Sequence, residues 1–308
     1  MNAIDPSVMA DPVTGKWWMH YGSFFGGLYC VELDPETGLP AEEGDQGHLT
    51  ARRANYQKDN LEAPEIIYNP DLKQYYLFVS YDPLMTTYNV RVGRSDKAEG
   101  PFVDFSGVEL KDTTNNFPIL TAPYRFHNHP GWAGTAHCSV FTSDEGQYFM
   151  AHQGRLSPHN QMMDLHLRQV FFTPDGWPVV SPERYTGCVS RKFSAEDMAG
   201  EWEVIRIQEP AYERRLQAGQ ILWGEGQLKE EEWNVSHLLS LEKNGNLGEN
   251  KGTWELLEAK QLLSLTLEGE IINNLIIFAG HDWENEKETV LFTGLDSRGR
   301  SIWGKRIK

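Results

Sequence analysis

Asp5, Glu62 and His137 each stand at the head of a similar short stretch of sequence, and together they are the side-chain types that cleave a glycosidic bond. In that reaction one carboxylic acid protonates the departing oxygen, while a carboxylate on the other face of the sugar activates water. The acid must stay protonated near neutral pH, which calls for an apolar wall or a neighbouring negative charge. Glu62, between Asn60 and the apolar pair Ala63-Pro64, meets the first condition, and Asp5 can supply the second. The competing reading is that Asp5 and Glu62 only cap turns or accept backbone N–H groups, since Asp before Pro is a common turn initiator. His137 is open to three roles: channel-lining core, substrate contact or metal ligand. The nearby His127-Asn128-His129 pair reaches one ion only from a loop, because alternate strand residues face opposite ways.

These residues act together only if the chain brings them together, and a repeat supplies the means. Asp5-Pro6-Ser7-Val8-Met9, Glu62-Ala63-Pro64-Glu65-Ile66-Ile67 and His137-Cys138-Ser139-Val140-Phe141 are each followed by a polar turn and an aromatic-rich run. Trp17-Trp18-Met19-His20-Tyr21, Tyr75-Tyr76-Leu77-Phe78-Val79 and Tyr148-Phe149-Met150-Ala151-His152 are the second members of these hairpins. Positions 7, 65 and 139 are equivalent, so the repeats are 58 and 74 residues apart. That exceeds the roughly 40–50 residues of an ordinary propeller blade, the excess going into loops. The first strand of a propeller blade lines the central axis, so Asp5, Glu62 and His137 are expected to share a pocket. Phe24, Phe25, Tyr56, Tyr81 and Trp132 fall in loops at the same end, where flat rings can stack on sugars or simply pack the blades.

Leu165 to Phe172 and Trp177 to Val180 read as the outer strands of the third blade. The segment from Phe193 to Gly200 reads as a hinge, which divides the chain into a propeller domain at 1–193 and a second domain at 194–308. Beyond the hinge, alternating runs such as Trp202 to Ile207 and Leu263 to Leu267, with turns at Asn244-Gly245 and Arg298-Gly299, predict a β-sandwich or small barrel. The Lys229-Glu230-Glu231-Glu232 run reads as a solvated turn. Three blades fall short of the ~4–8 of a closed propeller, so a further segment or another polypeptide is expected to complete the ring.

Composition narrows the ligand. With 44 acidic against 28 basic residues and a formal net charge of −16, the chain repels phosphate backbones and anionic lipid, which argues against nucleic-acid and membrane partners. No apolar run approaches the roughly 20 residues of a membrane span. Three cysteines without Cys-x-x-Cys spacing argue against a disulfide framework and a thiolate zinc site.

The motifs also carry a family likeness. Asn2-Ala3-Ile4-Asp5-Pro6-Ser7-Val8, with Tyr21-Gly22-Ser23-Phe24-Phe25-Gly26-Gly27-Leu28, resembles the second acidic motif of family 43 glycoside hydrolases, in particular the endo-acting arabinanases. Leu61-Glu62-Ala63-Pro64-Glu65-Ile66-Ile67-Tyr68 resembles their general-acid motif. Gly134-Thr135-Ala136-His137-Cys138-Ser139 is similar to the histidine motif that holds a hydrated calcium on the axis. Arg91-Val92-Gly93-Arg94-Ser95, Asp175-Gly176-Trp177-Pro178 and Ile302-Trp303-Gly304-Lys305 extend the likeness to the two-domain members.

The resemblance implies an all-β chain: a partial five-bladed β-propeller followed by a β-sandwich or barrel. It implies Glu62 as general acid, Asp5 as the carboxylate that orients it, His137 at the calcium site, and Asn2, Ser23 and Phe24 along the sugar cleft, to which the stacking reading adds Trp132. The implied reaction is inverting cleavage of α-1,5-linked L-arabinofuranose in arabinan or arabino-oligosaccharide, outside the cell. The family's base aspartate lies in a blade N-terminal to the Asn2–Asp5 motif, so the chain is expected to be N-terminally shortened, with impaired activity, and to use a missing segment or self-association to cover an open ring. A non-hydrolytic sugar-binding remnant and an exo-acting arabinosidase or xylosidase are the alternatives.

Overall fold

The computed structural model describes residues 2–53, 60–112, 116–189, 191–208, 227–267 and 269–308. Its first half is three antiparallel sheets. The first comprises β1 (Ser7–Ala10), β2 (Trp17–Tyr21), β3 (Leu28–Leu33) and β4 (His48–Ala51), and the second β5 (Leu61–Asn69), β6 (Gln74–Tyr81), β7 (Asn89–Ser95) and β8 (Ile119–Thr121), each paired in sequence order. In the third, β9 (Tyr124–Arg125) and β10 (Trp132–Ala133) form a strip beside the blade made of β11 (Ser139–Thr142), β12 (Tyr148–Leu156), β13 (Asp164–Phe172) and β14 (Pro178–Val180). The three hairpins read from the sequence are β1–β2, β5–β6 and β11–β12, with Ser7 opposite His20 and Ser139 opposite Ala151. The turns close as their residues dictate: Asp11 Oδ1 accepts from Val13 N, and Asn69 Oδ1 from Asp71 N.

A capped turn, α1 (Ala195–Met198, with Ser194 as N-cap), leads into the second half. There β15 (Gly200–Arg206) is followed by β16 (Asn234–Val235), β17 (His237–Leu241), β18 (Asn246–Leu247), β19 (Gly252–Leu257), β20 (Leu262–Leu267), β21 (Glu270–Asp282), β22 (Lys287–Leu295) and β23 (Ser301–Arg306). All but β16 close into an eight-stranded barrel, with β15 paired to both β17 and β23. The barrel alternative is therefore the observed one. Its interior is filled by Trp202, Leu239, Leu263, Leu265 and Phe292, as the alternating pattern requires. The acidic run forms a short turn at Glu230–Glu232; Glu230 pairs with Arg125 at 3.2 Å, whereas Glu232 is buried rather than solvated and accepts from Lys229 N.

The two halves are joined by buried groups. Strand β16 adds in parallel to β9, Ile205 and Trp303 of the barrel enter the core shared by the second and third sheets, and Thr293 Oγ1 donates to Val180 O. At the same joint Lys305 Nζ is enclosed by Glu183 (3.0 Å), Asp282 (3.1 Å) and Glu284. Burial pushes the Glu183 carboxyl up to about 8 despite Lys305. Among the described residues no helix is long and apolar enough to cross a membrane.

Candidate active site

The repeat-equivalent residues meet at the axis. Glu65, on β5, accepts from Ser7 Oγ of β1 (2.8 Å) and from Ser139 Oγ (2.8 Å) and Val140 N (3.0 Å) of β11. One carboxylate thus ties together the three inner strands, at the three positions that the repeat made equivalent. Two residues earlier in each copy the backbone turns left-handed, with φ of 55° at Asp5, 51° at Ala63 and 54° at His137. Non-glycine residues in that conformation cost about 1–3 kcal/mol each and are held by their surroundings, commonly at functional sites. All three line one open cavity of about 480 Å³, together with Glu65, His152 and Gln153.

Asp5 and His137 are therefore brought together, and the third equivalent residue is Ala63 rather than Glu62. Glu62 stands one position before it, where β5 carries a bulge: Glu62 faces Ser80 on β6 but Glu65 faces Phe78, one extra residue on the β5 side. A bulge re-aims side chains relative to plain alternation. The half-buried Glu62 carboxylate accepts from Tyr88 Oη at 2.5 Å on Oε1 and from Ser23 Oγ at 3.0 Å on Oε2. Burial and the Glu62 charge push the Tyr88 phenol well above its usual range, and Asp5 adds to the effect, which puts all three acidic groups in one electrostatic neighbourhood. The half-buried Asp5 keeps Oδ2 without a hydrogen-bond partner among the described residues. Asp5 lines the cavity, but this oxygen itself is buried.

The remaining expected site residues are placed differently. Ser23 is buried and gives its hydroxyl to Glu62, so it holds the carboxyl instead of lining a sugar cleft. Its loop is stitched to β5 by Phe24 N donating to Leu61 O (2.8 Å), and Gly22 and Gly27 at its ends have φ of 129° and 91°, with a Cβ on Gly27 falling 2.4 Å from Ala51 O. Phe24 is half-buried and Phe25 half-exposed, their rings 6.3 Å apart beside the Glu62 strand and outside the cavity lining. Asn2 accepts from Ile4 N in a turn and does not line the cavity. Trp132 is corrected outright: it is 6% exposed on β10, packed edge-on against His166 at 4.4 Å, because this ring belongs to the core. Tyr81 is likewise buried, between the Arg53 and Arg91 guanidinium groups, and Tyr56 lies outside the described residues. His129 stacks on Trp132 and accepts from Gly131 N, while His127 N donates to Glu203.

Tyr88, Ser80 and Glu65 are the site residues that sequence reasoning did not assign. Glu65 marked the repeat and could have been found as its polar member; nothing local distinguishes Tyr88.

Residues 1–178 match the model of glycosyl hydrolases family 43, and residues 182–304 that of a C-terminal lipocalin-like domain named for the same family. The chain belongs to glycosyl hydrolase family 43. Among its relatives, an extracellular endo-α-(1→5)-L-arabinanase of Thermotoga petrophila is 30% identical over 100% of this chain and 64% of its own. The extracellular endo-α-(1→5)-L-arabinanase 2 of Bacillus subtilis is 27% identical over 99% and 64%. This chain thus spans 64% of the length of either relative. The crystal structure of the Thermotoga petrophila endo-1,5-α-L-arabinanase superposes with a TM-score of 0.82 at 26% identity, covering 100% of this chain and 68% of that one. The family-43 protein YxiA of Bacillus licheniformis gives 0.82 at 25% identity, covering 99% and 68%.

For a cation, the axis offers the exposed His137 and the orphaned oxygen of the Asp5 neighbourhood. Among the described residues the one trio of carboxylate, thiol or imidazole ligands within mutual reach is Glu183, Asp282 and Glu284, which already encloses Lys305. Calcium takes oxygen ligands, so the His137 imidazole would hold it through water rather than as a direct ligand.

Proposed function

We propose that this chain is an inverting glycoside hydrolase acting on α-1,5-linked L-arabinofuranose chains of arabinan, with Glu62 as the general acid. The observation that carries the reading is the hold on Glu62: two hydroxyls fix both its carboxyl oxygens, one residue before Ala63, which lines the cavity together with Asp5. Glu62 gives its proton to the departing sugar oxygen as the glycosidic bond breaks, while water bonds to the anomeric carbon from the opposite face and loses a proton to a base or to solvent. Asp5, as a fixed negative charge, orients the substrate hydroxyls. The names of the relatives in this family support the substrate class, and their extracellular designation supports an exported protein. A hydrated calcium at His137 would supply positive charge on the axis, to organise water and sugar hydroxyls. Reducing-sugar release from linear arabinan, measured for the parent and Glu62→Gln, tests the assignment: turnover by the parent that survives the substitution removes Glu62 from this role.

Sugar binding without turnover is the second reading, and one observation favours it. Of the carboxylates lining the cavity, Glu65 is committed to three donors, Asp164 is exposed on β13, and Asp5 keeps one buried oxygen without a hydrogen-bond partner among the described residues, so none is set to activate water. Calorimetric binding of arabino-oligosaccharide with no product release would select it.

A further inference from the structure

Tyr88 holds Glu62 from a fully buried position. Its hydroxyl gives its hydrogen to Glu62 Oε1 at 2.5 Å, beside the buried Ser80, whose Oγ accepts from His137 N at 2.8 Å. The loop that presents Tyr88 is clamped, since Asn89 Nδ2 donates to Thr87 O and Asp82 Oδ2, and Gly134 N to Thr86 O.

We propose that Tyr88 is a positioning residue for the general acid: its buried hydroxyl, held on Glu62 Oε1 at 2.5 Å, fixes that oxygen as an acceptor and leaves Oε2, beside Ser23, as the oxygen that carries the proton. The proposal rests on the reading of Glu62 as acid. A proton on Oε1 would compete with the Tyr88 hydrogen for the same 2.5 Å contact and leave the buried phenol hydrogen to find another acceptor. Ser23 differs: its aliphatic hydroxyl rotor turns from giving a hydrogen bond to Oε2 to accepting one when Oε2 is protonated. On transfer, the Oε2–H bond breaks, the proton goes to the departing oxygen, and both hydroxyls then donate to the carboxylate, which is the arrangement seen here. The charged groups facing Tyr88 are Glu62 from β5, Asp5 from the segment before β1 and Arg155 from β12. Burial keeps the Tyr88 phenol protonated, so it remains a donor throughout the working range.

Tyr88→Phe removes one hydrogen bond to the charged form of Glu62 and nothing from the ring packing. Two readouts on the full chain test the proposal. The basic limb of the kcat/KM–pH profile on linear arabinan should move to higher pH, because losing a donor favours the protonated carboxyl, and kcat/KM at the parent's optimum should fall roughly ten- to a hundredfold. The ¹³C titration of the Glu62 carboxyl, assigned with Glu62→Gln, should move upward in Tyr88→Phe and less in Ser23→Ala. This second readout needs no turnover, so it separates failure of the positioning role from failure of the hydrolase reading. A thermal melt of Tyr88→Phe within a few degrees of the parent, with the Glu62 titration unmoved or moved downward, would overturn the proposal. So would a larger upward shift in Ser23→Ala than in Tyr88→Phe.

Discussion

Replacing Glu65 by alanine should loosen all three inner strands at once, because a single carboxylate joins them. It removes the acceptor for Ser7 Oγ, Ser139 Oγ and Val140 N. The Ser139 bond is exposed and water can replace it; the other two are partly buried and charge-assisted. At the low end of about 1.5 kcal/mol for each of those two, with a small term for the third, the loss comes to roughly 2–4 kcal/mol. For a domain of this size that is a fall in Tm of about 5–10 °C. Glu65→Gln should cost less, since the amide oxygen can still serve Val140 N, but its NH2 must face Ser7 Oγ, which already accepts from Ile66 N. Differential scanning calorimetry of parent, Glu65→Ala, Glu65→Gln and Ser7→Ala reads this directly, and the Ser7→Ala/Glu65→Ala cycle should return a coupling near 1 kcal/mol. A Glu65→Ala melt within 2 °C of the parent, with no coupling to Ser7, would refute the idea that the axis is tied at this residue.

Other expectations follow from the same geometry. Glu183, with its carboxyl raised to about 8 by burial, keeps its proton in the folded state over a range where the unfolded chain loses it. Stability should therefore decline as pH rises from about 5 to 8, by up to about 4 kcal/mol, and Glu183→Gln should flatten that slope in urea unfolding series. If His137 holds a calcium ion, added calcium should raise the parent's Tm and chelator should lower it, while His137→Ala should answer to neither; equal responses from the two would reject the ion role. Exposed apolar residues on three strands, Val8 on β1, Phe141 on β11 and Leu165 on β13, lead us to expect self-association in light scattering, and a monodisperse monomer would count against it.

The hairpins were legible because each is bounded by residues whose turn chemistry is local: Asp11-Pro12 with Gly15, Asn69-Pro70, and Asp144-Glu145-Gly146. The convergence of Asp5 and His137 was legible through the repeat, since equivalent strand starts meet on one axis whatever the loops between them do. The one-residue offset of Glu62 was not, because it depends on a bulge that appears only when β5 pairs with β6. Tyr88 escaped notice for the same kind of reason: its contact with Glu62 is made across a loop and has no periodic signature. Trp132 misled because an aromatic ring near a site looks the same in sequence whether it stacks on a ligand or on a core histidine. Barrel closure through β15 and β23 rests on a pairing between distant segments, which left sandwich and barrel equally open until the fold was in hand.

The central claim is that Glu62 delivers a proton to the leaving oxygen, and leaving-group dependence tests it most directly. The parent and Glu62→Gln should be compared on linear arabinan, whose departing sugar alcohol needs that proton, and on an aryl arabinofuranoside, whose acidic phenol does not. A loss of roughly 10²–10⁴ on arabinan with a far smaller loss on the aryl glycoside is the expected result. Equal losses on both substrates would contradict it.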